Sequence, residues 1–140
     1  MHRQRHCARV ARSVIAATLC SATAAIAAEQ PGGAIIMPVL SRALEDMPGK
    51  EATLLTVEYA PGAATPSRRH NAHTFVYVLE GTIAMQIAGG ETVTLGPGQT
   101  FYESPHDVHT VSRNASADKP AKFLVFFIKD KNAPAVLPVQ

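Results

Sequence analysis

The fold is decided by residues 75–98, which read FVYVLEGTIAMQIAGGETVTLGPG. Short runs rich in Val, Ile, Leu, Tyr and Phe alternate there with turn residues at Glu80-Gly81, Gly89-Gly90 and Gly96-Pro97-Gly98. Apolar runs bounded by such turns are typical of β-hairpins, and several in succession are typical of an all-β sandwich or barrel. The stretch therefore predicts consecutive antiparallel strands.

The same pattern continues on both sides of this stretch. The predicted strands are Thr53–Ala60, Phe75–Leu79, Thr82–Ala88, Glu91–Leu95, Thr100–Tyr102, Val108–Ser112 and Lys122–Lys129. In the first strand Leu55, Val57 and Tyr59 share one face, which is the alternation of a half-buried strand. The run 123–128 is apolar throughout, which favours a strand covered on both sides. A chain of 140 residues with so few helical stretches predicts one all-β domain whose sheet closes on itself.

The first 28 residues differ in kind from the rest of the chain. Residues 1–12 contain four arginines and no acid, and Ser13–Ala28 is an uncharged, Ala-rich run of 16 residues. A basic region followed by a short apolar region with small residues at its end predicts a secretory signal peptide. The alternative, a membrane anchor, is disfavoured because spanning a bilayer takes roughly 20 apolar residues. We expect a periplasmic or secreted protein without stable membrane insertion after cleavage.

Removal of residues 1–28 would change the chemistry of the chain. Both cysteines, Cys7 and Cys20, lie in that segment, so no thiol would remain. Nine Lys and Arg would stand against eleven Asp and Glu, a formal charge of −2. No basic patch then argues for a nucleic-acid partner.

The remaining chain divides into three parts. Residues 29–50 are predicted to be an N-terminal arm, with a short strand at Ala34–Met37 and an arm or turn of helix at Ser41–Met47. Residues 51–130 form the predicted barrel, and residues 131–140 form a C-terminal tail. Neither a phosphate-binding loop nor a nucleophile elbow is present in the sequence.

Four histidines are the most informative polar residues after position 28. His70 and His73 form one cluster, and His106 and His109 form a second, with the central hairpin between them. Each cluster lies at the edge of a predicted strand, where side chains can converge on the mouth of a barrel. A histidine-lined pocket is therefore expected.

Two longer stretches resemble the motifs of the cupin superfamily. Pro61-Gly62 with residues 67–81, SRRHNAHTFVYVLEG, is similar to the first motif, and residues 96–109, GPGQTFYESPHDVH, resemble the second. The resemblance covers roughly Glu51 to Lys129. It implies an antiparallel jelly-roll β-barrel in which the two motifs face each other across a pocket.

The resemblance also implies a metal site, from which this sequence departs. Metal-binding cupins take two histidines and a glutamate from the first motif and one histidine from the second. By position His70 and His109 match two of these ligands, whereas Arg68 and Thr74 replace the other histidine and the glutamate. Two imidazoles alone make a weak site, since catalytic zinc or non-haem iron usually has three protein ligands.

His73 is the candidate for a third ligand. The resemblance implies that position 74, where the family has its glutamate, faces the pocket. Strand parity then places Val76 and Val78 on the same side as Thr74, so His73 faces away unless the backbone bends at Asn71-Ala72. The sequence-based metal site is thus His70, His73 and His109, holding one Fe, Mn, Zn or Ni ion. Residues predicted to contact a ligand are Arg68, Thr74, Tyr102 and His106. Tyr102 and Glu103 could exchange protons at the pocket mouth, although a strand glutamate is more often solvated.

Three functions stay open at this point, and no catalytic residue is assigned. The first is a metal-dependent oxygenase, isomerase or decarboxylase acting on a small molecule. The second is a metal-free cupin in which Arg68, His70 and His109 bind a small polar or anionic ligand. The third is a structural module that pairs through exposed strand edges as a homodimer.

Overall fold

The computed structural model describes residues 28–30 and 32–139. Except for Ala28, the predicted signal peptide lies outside these residues. The described chain contains twelve strands. They are β1 (Ala28–Gln30), β2 (Ala34–Ala43), β3 (Lys50–Tyr59), β4 (Ala64–Thr65), β5 (Arg68–Arg69), β6 (His73–Glu80), β7 (Ile83–Ile87), β8 (Val93–Leu95), β9 (Thr100–Glu103), β10 (His109–Asn114), β11 (Ala121–Asp130) and β12 (Leu137–Pro138). All seven strands predicted after position 50 are confirmed.

The strands form two antiparallel sheets. The first has the order β1-β2-β3-β11-β6-β9, and the second has the order β12-β5-β10-β7-β8, with β4 also pairing with β10. The hydrophobic core draws on both sheets, because Val57, Val76 and Phe123 of the first pack with Ile83 and Met85 of the second. Among the described residues strand pairing joins neighbours within each sheet and not across them, so the architecture is a two-sheet jelly roll.

Strand β11 shows why the apolar sequence runs form this core. It pairs along its length with β3 on one side and β6 on the other. Phe123, Val125 and Phe127 alternate inward and are buried, and the Phe123 ring meets Tyr59 edge to face at 5.3 Å. Such aromatic pairs contribute about 0.5–1.5 kcal/mol beyond the area they bury.

The N-terminal arm is more ordered than the sequence indicated. Strand β2 runs from Ala34 to Ala43 and pairs with β3 over most of its length. The expected turn of helix at Ser41–Met47 is wrong: residues 41–43 continue β2, and a turn follows before β3. Pairing with the regular strand β3 overrides the weak local signal of this segment.

The turns in the sequence predict a positive φ, which glycine adopts at no steric cost, at Gly81, Gly96 and Gly98, and two of these three glycines have it. Gly81 and Gly98 lie at positive φ, at 70° and 84°, whereas Gly96 does not.

No helix among the described residues is long and apolar enough to cross a bilayer.

Candidate metal centre

A cavity of about 270 Å³, here called the inter-sheet cavity, lies between the two sheets. Its walls are mainly apolar and include Ile36, Leu55, Val57, Val76, Phe123, Val125 and Phe127. Ligand pockets commonly measure roughly 300–1,000 Å³, so this cavity suits a small molecule. The prediction that Leu55, Val57 and Tyr59 share one strand face is confirmed, since all three line the cavity.

Three buried polar side chains converge in the inter-sheet cavity. His70 lies between β5 and β6, Glu103 ends β9, and His109 begins β10, with exposed fractions of 6%, 2% and 1%. One nitrogen or oxygen from each lies within 4.8 Å of the others. Glu103 Oε1 is 3.1 Å from His109 Nδ1, and Glu103 Oε2 is 4.0 Å from His70 Nε2. We call these residues the His70–Glu103–His109 group.

The local backbone bends at His70, and the C-terminal tail contacts its ring. A left-handed residue, Asn71 at φ 47°, follows it, so the chain bends there as the sequence allowed. His70 Nδ1 lies 2.8 Å from the carbonyl oxygen of Ala135. Because a carbonyl only accepts, Nδ1 carries the hydrogen, and neutral His70 keeps its lone pair on Nε2, the atom nearer Glu103.

A β-bulge turns His109 inward. Strand β10 pairs Ser112 with Met85 and Asn114 with Ile83, and these four residues are buried. By simple alternation position 109 would lie on the opposite face, but the register shifts between His109 and Val111. The extra residue keeps His109 opposite Ile87 and on the buried face, which is how bulges re-aim side chains.

Glu103 supplies the carboxylate that the first motif lacks. Thr74 and Glu103 are directly paired on β6 and β9, and both are buried. Residues directly opposite each other on antiparallel strands point to the same face, with Cβ atoms about 4.5–5.5 Å apart. The carboxylate expected at position 74 is therefore presented from the neighbouring strand, and the prediction that Thr74 faces the pocket agrees with its place in the cavity wall.

Unsatisfied atoms indicate what this group is suited to hold. Within the described residues, Glu103 Oε1 and both ring nitrogens of His109 are buried without a hydrogen-bond partner. The short Glu103–His109 approach lacks hydrogen-bond geometry, so it does not relieve them. A buried polar group without a partner costs about 1–3 kcal/mol, and more when charged. Two imidazoles and a carboxylate around one point fit a divalent transition metal, which would satisfy these atoms.

Arg68 forms a second polar region in the inter-sheet cavity. Its guanidinium donates to Thr65 Oγ1 at 2.5 Å and to Ser112 Oγ at 3.2 Å. The Tyr59 hydroxyl bonds to the same two oxygens at 2.9 and 2.7 Å. Among the described residues Arg68 forms no ion pair with a carboxylate. It is thus a half-buried positive charge held by neutral groups.

The structure does not bring His73, Tyr102 or His106 into this group. His73 is exposed on the outer face of β6, and its Nδ1 lies 2.8 Å from the Tyr102 hydroxyl, which is also exposed. The bend at Asn71 buries His70 and leaves His73 outside. His106 is exposed in the turn between β9 and β10. The roles predicted for these three residues stay predictions, and the structure places each of them away from the cavity lining.

Burial of His70 predicts a pH-dependent stability. Desolvation lowers the pKa of His70 below its usual 6.5, while the Glu103 charge opposes this shift. Below about pH 6.5 the unfolded chain therefore binds a proton that folded His70 resists. As the pH is lowered below about 6.5, we expect the free energy of unfolding to decrease by up to about 1.4 kcal/mol per pH unit. The decrease should stop once the pH is below the pKa of His70 in the folded protein.

The measurement is urea unfolding of metal-free protein between pH 7.5 and 5.5. The comparison variant is His70→Gln, which cannot titrate and keeps an amide donor for Ala135. Wild type should lose stability relative to the variant as pH falls. Parallel pH profiles for the two proteins would contradict the expectation.

Solved structures confirm the fold. An RmlC-like cupin from Shewanella frigidimarina is 15% identical, with 77% of this chain and 86% of that chain covered at a TM-score of 0.60. The polyketide cyclase RemF from Streptomyces resistomycificus is 20% identical, covering 83% and 82% at a TM-score of 0.61. An oxalate oxidase in complex with glycolate is 20% identical, and the match covers 77% of this chain but 56% of that one, with a TM-score of 0.59.

The sequence comparisons give the family. Among curated proteins, none matches the sequence. The family described as Cupin domain matches residues 55–127, which is more than half of the chain and contains the His70–Glu103–His109 group. With the jelly-roll fold, the buried histidines and this match together, the chain belongs to the cupin family.

Proposed function

We propose that this protein is an exported cupin that binds one divalent transition metal through His70, Glu103 and His109 and acts on a small molecule in the inter-sheet cavity. The observation that carries the proposal is the set of unsatisfied buried atoms on Glu103 and His109. A buried carboxylate beside two imidazoles, without an arginine or lysine partner among the described residues, is compensated best by a cation.

The donor set narrows the choice of metal. Two histidines and one carboxylate are the protein ligands of non-haem iron oxygenases and of several catalytic zinc sites. Fe and Zn are thus the first candidates, ahead of Mn and Ni. Three protein ligands leave positions open for water or substrate, and the metal would supply Lewis-acid activation or a seat for bound water or dioxygen.

The chain's own residues have distinct tasks in this proposal. His70 and His109 each present a ring nitrogen to the carboxyl group of Glu103, so that the three side chains together offer two nitrogen ligands and one oxygen ligand. Apolar walls such as Phe123 and Phe127 exclude water, which strengthens electrostatic interactions inside the cavity. Oxygenase, isomerase and decarboxylase chemistry are all compatible with such a site.

The signal-like residues 1–28 support a periplasmic or secreted location.

Metal analysis of the purified full chain tests the proposal. We expect about one equivalent of a transition metal after reconstitution with Fe(II) or Zn(II), because three buried ligands are present. His109→Ala should reduce the metal content to background. His106→Ala, which removes an exposed histidine three positions away, is the matched comparison and should retain the metal. A wild-type chain without bound metal, or equal loss in both variants, would refute the site.

A metal-free binding function is the second candidate, and Arg68, which forms no ion pair with a carboxylate among the described residues, favours it. A guanidinium facing a small cavity pairs well with a carboxylate. One structural neighbour is an oxalate oxidase that was solved with glycolate, a small carboxylate. If this function is correct, glycolate should bind in the presence of a chelator and Arg68→Gln should abolish binding. Binding that requires metal would argue for the first candidate.

A homodimer is also proposed from the outer face of the first sheet. Phe75, Tyr77 and Tyr102 are 43–48% exposed on adjacent strands of this face. Exposed apolar patches of this kind commonly mark interaction sites. Light scattering after size exclusion would distinguish a monomer from a dimer.

A further inference from the structure

The C-terminal segment from Lys131 to Val139 closes one side of the inter-sheet cavity. Ala135, Val136 and Pro138 belong to the cavity wall. Leu137 and Pro138 form β12, which pairs with Arg69 and Arg68 of β5. We call residues 131–139 the strap, because they leave β11 in the first sheet and end on the second sheet.

The two ends of the strap are held differently. Near its start, the Lys131 amide donates to the Gly49 carbonyl at 2.9 Å, and the buried Lys129 ammonium donates to the Ala133 carbonyl at 2.8 Å. Lys129 is itself paired with Glu51. The far end is held by the two-residue pairing of β12 with β5, by the His70–Ala135 hydrogen bond and by packing of Ala135 against the core. Short strand pairings open locally at a small cost in free energy, so we expect the far end of the strap to open before its start.

The strap also supplies the partner that orients His70. The Ala135 carbonyl accepts the Nδ1 hydrogen of His70, which leaves the Nε2 lone pair free for the His70–Glu103–His109 group. Backbone carbonyls that accept from a metal-binding histidine fix its tautomer and ring orientation. When the strap leaves β5, His70 loses this partner.

We propose that docking of the strap positions His70, so that Nε2 is presented to Glu103 and His109 when the cavity is closed. Ala135 is thus a positioning residue, acting through its backbone. The consequence for metal rests on the proposed metal site: ligation and strap docking stabilise each other, and the coupling is reciprocal.

Two measurements on the full chain test this inference. In the metal-free protein, nitrogen NMR of the His70 ring should show the hydrogen on Nδ1, and a chain ending at Asn132 should show a mixture of tautomers. Zinc should slow hydrogen exchange of the strap amides in the full chain. The chain ending at Asn132 should bind zinc about 10- to 100-fold more weakly, the range found for partners that orient metal ligands.

Val139→Ser is the matched control, because Val139 belongs to the strap but not to the cavity wall. It should leave the His70 tautomer and zinc affinity unchanged. An unchanged His70 tautomer in a folded truncated chain overturns the inference. If the truncated chain does not fold, hydrogen exchange of the strap amides in the full chain is the deciding measurement. Exchange rates that do not change when zinc binds would then overturn the inference. A full chain that binds no zinc refutes the metal site, whereas the tautomer measurement still decides the positioning role.

Discussion

Replacing Glu103 with glutamine is expected to lower the affinity for zinc by about 100-fold or more, since changes one step further from a metal already cost about 10- to 100-fold. Glu103 is 2% exposed and carries the only carboxylate in the His70–Glu103–His109 group. Glutamine keeps the size of the side chain and removes its negative charge. Isothermal titration of metal-free protein with zinc measures the change. The matched control is Glu80→Gln, which makes the same substitution at an exposed position of β6.

The paired positions 74 and 103 allow a sharper version of this experiment. Glu103→Thr should lose zinc binding. Adding Thr74→Glu to this variant should raise its zinc affinity at least tenfold, because the two residues are direct partners on one face. His73→Gln in the same titration tests the ligand role that the sequence assigned to His73. Unchanged affinity in Glu103→Gln, or a strong loss in His73→Gln, would contradict the proposed ligand set.

Replacing Gly81 with alanine is expected to destabilise the protein by more than about 3 kcal/mol. A left-handed backbone costs an L-residue about 1–2 kcal/mol by itself. At Gly81, φ is 70° and an added Cβ would lie 2.4 Å from the Pro120 carbonyl oxygen and 2.8 Å from the Ala121 Cα. These are backbone atoms at the start of the central strand β11, so relief of the contact requires the strand to move.

Two other glycines provide graded controls for Gly81→Ala. Gly98 has φ 84° with open space around a Cβ, so Gly98→Ala should cost only the backbone term of about 1–2 kcal/mol. Gly96 has neither a left-handed φ nor a close neighbour, and Gly96→Ala should change stability by less than about 0.5 kcal/mol. Urea unfolding measures all three. Equal losses at positions 81 and 96 would show that the turn geometry is wrong.

Local signals in the sequence were sufficient to predict much of the fold. Period-two alternation predicts which side of β3 is buried, because that pattern depends only on neighbouring residues. The buried side of β6 followed from the family position of Thr74 together with strand parity. Glycine turns likewise mark the hairpins. Strand β2 was mostly missed, since its exposed, Pro-containing sequence has weak periodicity and its order comes from pairing with β3.

The candidate site was only half predictable, because its remaining parts depend on contacts between distant residues. His70 and His109 followed from motif positions. The sequence predicts for Glu103 a role in proton exchange at the pocket mouth and does not predict that it joins the two histidines. Phe101 and Glu103 share the more buried face of β9. Its burial follows from pairing with Thr74, 29 positions earlier in the chain. The Ala135 partner of His70 lies 65 positions away, and no local pattern marks it.

The bulge in β10 has a further consequence for how such sites are gained and lost. Because one extra residue decides which face His109 occupies, the loss of a single residue between His109 and Ser112 would turn the histidine out of the cavity without changing its identity. A related chain could thus keep all three ligand residues in its sequence and still lack the site. Loop and strand lengths, as well as residue types, must match before a histidine in this motif is taken as a ligand.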